Sequence, residues 1–348
     1  MHLNDTRLFN FGDSVYRAIE RTAGLAIEVN PDELCAYFVN QLFDELENSK
    51  KLEDILDERD YKRYGPALSK KFDKSVDEIT ARDIVKEKNK WMQDLMEKGE
   101  MPTFVDAYLF NIARRQGKWL GGIEDMSDQA GLMEDLVDKS DIDYLLAGDS
   151  VAMESENKLG LDQLIDIYID QDLTKIEAGY NSPSSAREKD LVLIKRNVKM
   201  ARRIDSLTAL RTMFLAIGAA HLPGDSGVIH LLQQRGFTVE PVFSSKKIAA
   251  KDYKFKEVQL PWVQVKDEQE LYKVEMPANP ASVKLMGMME MKFLFDIFNM
   301  SGFCTMAVVN PGHTRNKDSL MSQLARRMFP GTNSTGPTSI VKDGIAGK

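Results

Sequence analysis

The hydrophobic positions of this chain form two patterns, short continuous apolar runs and longer stretches with helical spacing. Three runs are strand-like: residues 24–29 (GLAIEV), 118–125 (KWLGGIED) and 213–217 (MFLAI). Continuous apolar runs of this length are typical of strands that are buried on both faces, as in parallel sheets. Because helical segments lie between the runs, the pattern predicts an α/β fold with a mainly parallel central sheet flanked by helices.

Apolar residues recur at helical spacing over much of the rest of the first 240 residues. The charged stretch 32–100 is helix-rich and is predicted to be a helical insertion over the sheet. Further helices are predicted at 15–23, 103–117, 127–139, 156–178 and 188–207.

The segment that follows the third strand has turn and capping residues. Asp225 and Ser226 are predicted to cap the helix GVIHLLQQR, which Gly236 ends. A second apolar strand is predicted at 237–242.

The sequence changes character after about residue 245. A charged connector leads to a β-rich region that starts near Trp262 and ends without a closing element. We predict a first domain over 1–245, a linker over 246–261, and a smaller α+β domain over 262–348 that is expected to be incomplete.

Composition excludes several classes of protein. The chain has 348 residues, 43% of them hydrophobic, and can bury a sizeable core. Its net charge of −8 argues against a nucleic-acid or anionic-membrane surface. Cys35 and Cys304 lie far apart, which indicates neither a disulfide framework nor a thiolate metal site. No apolar run reaches the roughly 18 residues of a transmembrane helix.

Polar residues stand at the ends of all three predicted strands. Glu28 and Glu124 close the first two, and His221 follows the third. Open α/β sheets bind ligands beyond the carboxyl ends of their strands, so these side chains are expected to share one cleft. Imidazole and carboxylate groups suit a divalent cation such as zinc, manganese or iron that keeps a bound water.

A structural interpretation of the same residues stays open. A single glutamate at a strand end is commonly a solvated or capping residue, and a lone histidine is commonly structural. Arg196 and Asn197 share this ambiguity, since a buried Asn197 can tie down a loop. In the functional interpretation, both reach the cleft and stabilise a developing oxyanion.

The stretch 218–242, GAAHLPGDSGVIHLLQQRGFTVEPV, resembles the carboxyl-terminal signature of the TraB/GumN family, whose relatives include the Tiki metalloproteases. That family carries two GxxH motifs. The second matches residues 218–221, and His2 matches the histidine of the first. The segments around Glu28 and Glu124 and the Arg-Asn pair agree in order and spacing, so the resemblance covers roughly residues 1–243.

The resemblance implies a metal-dependent hydrolase, and first of all a peptidase that uses a divalent cation such as Mn²⁺, Co²⁺ or Zn²⁺. The implied metal ligands are His2, Glu28, Glu124 and His221. Glu28 is also the implied general base, and the implied substrate-binding residues are Arg196, Asn197 and Gly218. A metal would activate a water at neutral pH by lowering its pKa toward about 7.

One departure from the family pattern affects these expectations. The Gly-Thr and the strand that normally precede the first histidine do not precede His2. A ligand on a frayed terminus is expected to bind poorly, and this chain is then expected to be inactive even if its intact parent is an enzyme. The alternatives are a non-catalytic peptide-binding or scaffolding module of a bacterial cell envelope, and a metal-dependent esterase. An envelope or periplasmic location is expected if an export signal precedes the chain.

Overall fold

The computed structural model of this chain describes residues 5–33, 49–88, 101, 103–147, 161–180, 189–267, 272–285, 289–296, 301–308, 340–342 and 345–347. His2, Cys35 and residues 34–48 and 89–100 of the predicted helical insertion lie outside these residues.

The described helices and strands agree closely with the apolar pattern of the sequence. The helices are α1 Asp13–Arg21, α2 Leu52–Ile55, α3 Glu58–Phe72, α4 Ala81–Lys88, α5 Val105–Arg115, α6 Met126–Asp135, α7 Lys139–Ala147, α8 Leu161–Ile169, α9 Leu173–Tyr180, α10 Lys195–Leu210 and α11 Val228–Gln234. The strands are β1 Asn10–Gly12, β2 Gly24–Val29, β3 Trp119–Glu124, β4 Met213–Ala216, β5 Lys247–Ala249, β6 Val263–Lys266, β7 Lys273–Met276, β8 Ala281–Leu285, β9 Met289–Asp296, β10 Ser301–Val308, β11 Ile340–Lys342 and β12 Ile345–Gly347.

The three strand-like runs form one parallel sheet in the order β3–β2–β4. Gly24 pairs with both Trp119 and Met213, so the three strands start in register. At the other end Val29 pairs with Glu124. The predicted α/β fold with a parallel sheet is therefore confirmed, and its carboxyl ends meet at one edge.

Helices cover both faces of this sheet. Because side chains alternate along a strand, Leu25 and Ile27 of β2 face one side and Ala26 faces the other. The first side packs on α1 and α5 through residues that include Ile19, Leu109, Phe110 and Ile112. The second packs on α10 and α11 through Met200, Ile204, Leu207 and Val228. Fully burying each large apolar side chain contributes about 1.5–3 kcal/mol, so this packing fixes where the strand ends lie.

A separate helical core stands beside the sheet, as the apolar spacing of the insertion predicts. α2, α3, α4 and α7 bury one cluster whose members include Leu52, Leu68, Ile79, Ile84 and Ile142. Polar contacts at its border accompany it, among them the part-buried hydrogen bond of 2.5 Å from the Tyr64 hydroxyl to Asp143 Oδ1.

The segment after residue 243 packs on the amino-terminal elements. β5 pairs antiparallel with β1, and buried Asp13 accepts hydrogen bonds from the backbone N–H and the hydroxyl of Ser245, at 3.0 and 2.6 Å. Tyr253 stacks on Tyr16 with ring centroids 3.7 Å apart. The first part of the predicted linker 246–261 is therefore in contact with the first domain, while the domain boundaries stay predictions.

The described residues beyond 262 form antiparallel strands, which agrees with the β-rich texture of the sequence. β6 pairs with β7, and β9 lies between β8 and β10. Trp262 contacts Phe303 of β10 edge to face, with ring centroids 6.0 Å apart.

Two local predictions are wrong. Residues 237–242 form no strand, although their apolar alternation suggested one, and Val242 and Phe243 are exposed. Helix α11 is preceded by Gly227 without a side-chain cap, so Asp225 and Ser226 do not cap it. Gly236 follows the helix with a φ of +91°, a left-handed conformation that favours glycine and ends the helix as predicted.

None of the helices that the structure describes has both the length and the apolar character required to span a lipid bilayer.

Candidate functional site

Glu28 and Glu124 lie next to each other at the carboxyl edge of the sheet. They belong to the paired strands β2 and β3, whose ends are in register. Their side chains are only 15% and 3% exposed, respectively. Two carboxylates held out of water this close together require a cation between them.

Arg196 supplies that cation from the first turn of α10. Its Nη2 lies 2.6 Å from Glu124 Oε2 and 3.1 Å from Glu28 Oε2, and its Nε lies 2.9 Å from Glu124 Oε1. The contact with Glu124 is bidentate, the strongest arrangement of a guanidinium with a carboxylate. Arg196 therefore bridges the ends of two neighbouring strands.

The charges around Arg196 decide its protonation. Burial by itself would lower the pKa of the Arg196 guanidinium, but hydrogen bonds and charge attraction from Glu124 and Glu28 outweigh that effect and raise the pKa. Arg196 is thus a permanent positive charge at this edge of the sheet.

Asn197 and His221 form a second, adjacent pair. Both are buried, with exposed fractions of 3% and 5%, and His221 Nδ1 lies 2.6 Å from Asn197 Oδ1. The Asn197 amide nitrogen donates to the backbone carbonyl of Ser226 at 2.8 Å, which fixes the amide with its oxygen toward the imidazole. Because that oxygen only accepts, Nδ1 of His221 carries the hydrogen and Nε2 keeps its lone pair.

The imidazole of His221 is electrically coupled to the carboxylate pair. Burial is the main cause that lowers its pKa, and the positive charge of Arg196 acts in the same direction. Glu28 and Glu124 partly counteract both effects. A lowered pKa keeps the imidazole neutral at pH 7, the form that can accept a proton or bind a metal.

Gly218 lies next to both the Glu28–Glu124 carboxylates and the Asn197–His221 pair. Its backbone N–H donates to Glu28 Oε1 at 2.6 Å. A Cβ added at residue 218 would lie 2.7 Å from Glu28 Oε1 and 3.6 Å from His221 Cδ2. The close approach of Glu28 therefore requires glycine here, and both Glu28 and His221 lie close to residue 218.

Comparison with known protein families gives a match over the first part of the chain. The model of the TraB/PrgY/gumN family matches residues 1–241, more than half of the chain.

This chain belongs to the TraB/PrgY/gumN family.

No curated protein and no solved structure matches the chain. The family assignment therefore confirms the resemblance seen in the sequence, and the chemistry of this TraB/PrgY/gumN member has to be argued from its own residues.

The structure brings together most of the side chains that the sequence singled out in this TraB/PrgY/gumN member. The residues joined by contacts at one edge of the sheet are Glu28, Glu124, Arg196, Asn197, Gly218 and His221. His2 lies outside the described residues, so its predicted role as a metal ligand stays a prediction.

Gln129 is a member of the site that sequence reasoning missed. Its Nε2 donates to Glu124 Oε2 at 2.9 Å, the same oxygen that accepts from Arg196. Gln129 lies on α6, five residues after Glu124, and its position in the first turns of the following helix is the signal that could have identified it.

The donor set suits a divalent cation by its chemistry. Carboxylate oxygens and an imidazole nitrogen are ligands that zinc and manganese accept in proteins. Among the residues that the structure describes, however, no group of three or more His, Cys, Asp or Glu side chains surrounds a position for a metal ion. The Arg196 guanidinium lies between the carboxylates instead, so metal ligation by Glu28, Glu124 and His221 stays a prediction.

Proposed function

We propose that this TraB/PrgY/gumN member is a metal-dependent hydrolase and that peptides are its substrates. The observation that supports the proposal is the convergence of two carboxylates, a guanidinium and a neutral imidazole at the carboxyl edge of a parallel sheet. Such an edge is where open α/β sheets bind ligands.

In this proposal Glu28, Glu124, His221 and the predicted ligand His2 hold a divalent cation, with Mn²⁺, Co²⁺ and Zn²⁺ as the candidates. When bound, the cation would lower the pKa of a water molecule. The lone pair on His221 Nε2 is the donor that the imidazole offers, because Nδ1 is occupied by Asn197.

Glu28 is the proposed general base. Gly218 N–H and Arg196 Nη2 each donate to one of its oxygens, which fixes the carboxylate while leaving further lone pairs to accept a proton. Glu28 takes a proton from water as the water oxygen bonds to the substrate carbonyl carbon. The same proton then passes to the leaving nitrogen as the C–N bond breaks.

Arg196 is the proposed electrophilic group. Its guanidinium can donate to the carbonyl oxygen of a substrate and to the oxyanion that develops on it. Glu124, which also accepts a hydrogen bond from Gln129, holds the guanidinium in place. Asn197 has its amide nitrogen on Ser226 and its oxygen on His221, so we assign it the positioning of the imidazole.

The test combines metal titration with peptide cleavage. Mn²⁺, Co²⁺ and Zn²⁺ are added separately to metal-free protein, and thermal unfolding and cleavage of a quenched fluorescent peptide library are recorded. A metal at about 100 times its Kd should add about 2.7 kcal/mol of stability. Glu28→Gln and His221→Ala should abolish cleavage, while the matched control His230→Ala, a half-buried residue on α11, should retain it.

Two results would contradict parts of this proposal. If esters are cleaved and peptides are not, the protein is an esterase that uses the same groups. If no metal stabilises the protein and no substrate is cleaved, the hydrolase proposal fails.

A non-catalytic peptide-binding module is the second candidate. The observation in its favour is the Arg196 bridge, which already forms ion pairs with both carboxylates without a metal. In that case His221→Ala leaves ligand binding intact, whereas the hydrolase proposal requires the loss of all activity.

A further inference from the structure

A cavity of about 210 Å³ opens beside the candidate site. Asn197, which orients His221, is part of its wall, and so is Ala220, the residue before that histidine. The volume is smaller than that of pockets for drug-sized ligands, which start at about 300 Å³, and fits a single side chain. The cavity therefore borders the residue that orients His221 and the residue that precedes it.

The wall of the cavity is mostly aliphatic on one side. Leu193 and Ile194 come from the π-helical turn before α10, and Pro223 comes from the loop after β4. These half-buried side chains offer apolar contact to the methylene groups of a long side chain.

Two carboxylates border the same cavity. Glu177 on α9 is half-buried, and Asp225 lies in the loop after β4. The carboxylate of Glu177 lies directly over Gly224, since a Cβ at residue 224 would be 2.6 Å from Glu177 Oε1. Gly224 also has a φ of +83°, so glycine here permits both the turn and the close approach of Glu177.

The charges of the described residues around the cavity leave it negative. The exposed Lys189 also borders it, and one ammonium group against two carboxylates gives a net charge of −1. An aliphatic wall with a negative rim is complementary to a side chain with a methylene stem and a positive end group.

We propose that this cavity is a specificity subsite for a lysine or arginine side chain of the substrate, a proposal that rests on the hydrolase function proposed above. Glu177 and Asp225 bind the positive end group, and Leu193, Ile194 and Pro223 contact the methylene groups. Both carboxylates lie outside the set of residues assigned to the reaction. Their substitution should therefore change the preference for lysine over norleucine and leave the cleavage of norleucine peptides unchanged.

The test compares peptides that differ only in one residue beside the cleaved bond, which is lysine, arginine, norleucine or glutamate. Norleucine has nearly the shape of lysine without the charge. The ratio of kcat/KM for lysine over norleucine should fall about three-fold in Glu177→Gln and in Asp225→Asn, and about ten-fold in the double variant. Cleavage of the norleucine peptide should not change. Glu240→Gln, an exposed residue away from the cavity, is the matched control.

A binding measurement separates this proposal from the hydrolase function. Nα-acetyl-lysinamide and Nα-acetyl-norleucinamide are titrated into the intact protein by calorimetry, with and without the double substitution. If the lysine probe binds more tightly and the double variant removes the difference, the subsite is supported even when no peptide is cleaved. If peptides are cleaved with an unchanged lysine-to-norleucine ratio, or if neither probe distinguishes the variant, the subsite proposal is overturned.

Discussion

Replacing Arg196 by methionine should strongly destabilise the sheet edge. Methionine keeps much of the volume of the side chain and removes the charge. The side chain of Arg196 is 14% exposed and its guanidinium donates to both Glu28 and Glu124. Without it, the two carboxylates remain close together and poorly solvated, so like-charge repulsion and desolvation both raise the free energy of the folded state.

The size of the loss follows from how buried each partner is. Removing one member of a buried ion pair costs about 3–5 kcal/mol. After the substitution, Glu124, whose side chain is 3% exposed, keeps the hydrogen bond that Gln129 donates. Glu28 is 15% exposed and keeps the hydrogen bond from the backbone N–H of Gly218. We therefore expect a loss of about 3 kcal/mol for Arg196→Met. Arg196→Lys keeps the charge but loses the bidentate contact and should cost about half as much.

Equilibrium urea denaturation in EDTA, followed by far-UV circular dichroism, measures this loss. The matched control is Arg203→Met on the same helix, because Arg203 is 51% exposed and lies 4.0 Å from Asp125. That substitution should change the free energy of unfolding by at most about 0.5 kcal/mol. Glu124→Gln combined with Arg196→Met should cost less than the sum of the two single changes. Equal losses for Arg196→Met and Arg203→Met would refute the bridge.

Three further changes test other contacts. Gly218→Ala should lower the free energy of unfolding, measured by urea denaturation, by about 1–3 kcal/mol, because its Cβ would lie 2.7 Å from Glu28 Oε1. The control Gly131→Ala has open space around the new Cβ and should stabilise α6 by up to about 1 kcal/mol. Equal effects of the two substitutions would contradict the close approach of Glu28 to Gly218. Asn197→Ala should lower the free energy of unfolding by about 1–3 kcal/mol and should let the His221 ring change its tautomer, which ¹⁵N NMR detects. An unchanged tautomer would exclude the role of Asn197 in positioning the imidazole. Hydrogen bonds to Asp13, chiefly from the Ser245 hydroxyl, lower its pKa to about 2, so its stabilisation is complete above about pH 4 and is lost as the pH falls toward 2. The stability difference between the wild type and Asp13→Asn should shrink over that range in urea denaturation, and a constant difference would show that this carboxylate is not held in its charged form.

Much of the site was predictable because it depends on strand ends. The apolar runs identified β2, β3 and β4, and parallel strands necessarily bring their carboxyl ends to one edge. Residues that follow such runs, such as Glu28 and Glu124, then become neighbours whatever the details of the helices. The Arg-Asn pair was singled out from the residues themselves, and the resemblance to the family added the glycine at residue 218.

Contacts that depend on how a helix is placed against the sheet could not be predicted in the same way. The sequence suggested that Arg196 binds substrate, but not that its guanidinium holds two carboxylates together. Gln129 was missed because a glutamine on an amphipathic helix has no periodicity of its own. Residues 237–242 alternate like a strand, yet strand formation requires an available neighbour, and among the described strands none pairs with them.

The turn before α10 links the candidate site with the neighbouring cavity. Residues 190–194 form a π-helical turn, which contains one residue more per hydrogen-bonded loop than an α-helix and so rotates the side chains before it relative to those after it. Leu193, Ile194 and Asn197 line the cavity, while Met200, further along the helix, is buried in the core. The carbonyl of Val192 in this turn also accepts from Arg196 Nη1 at 3.3 Å. Leu193 and Ile194 precede Asn197 by four and three residues, so these three side chains stand on the same side of the helix. The end of the π-helical turn and the first turn of α10 thereby place the cavity wall next to the Arg-Asn pair of the candidate site.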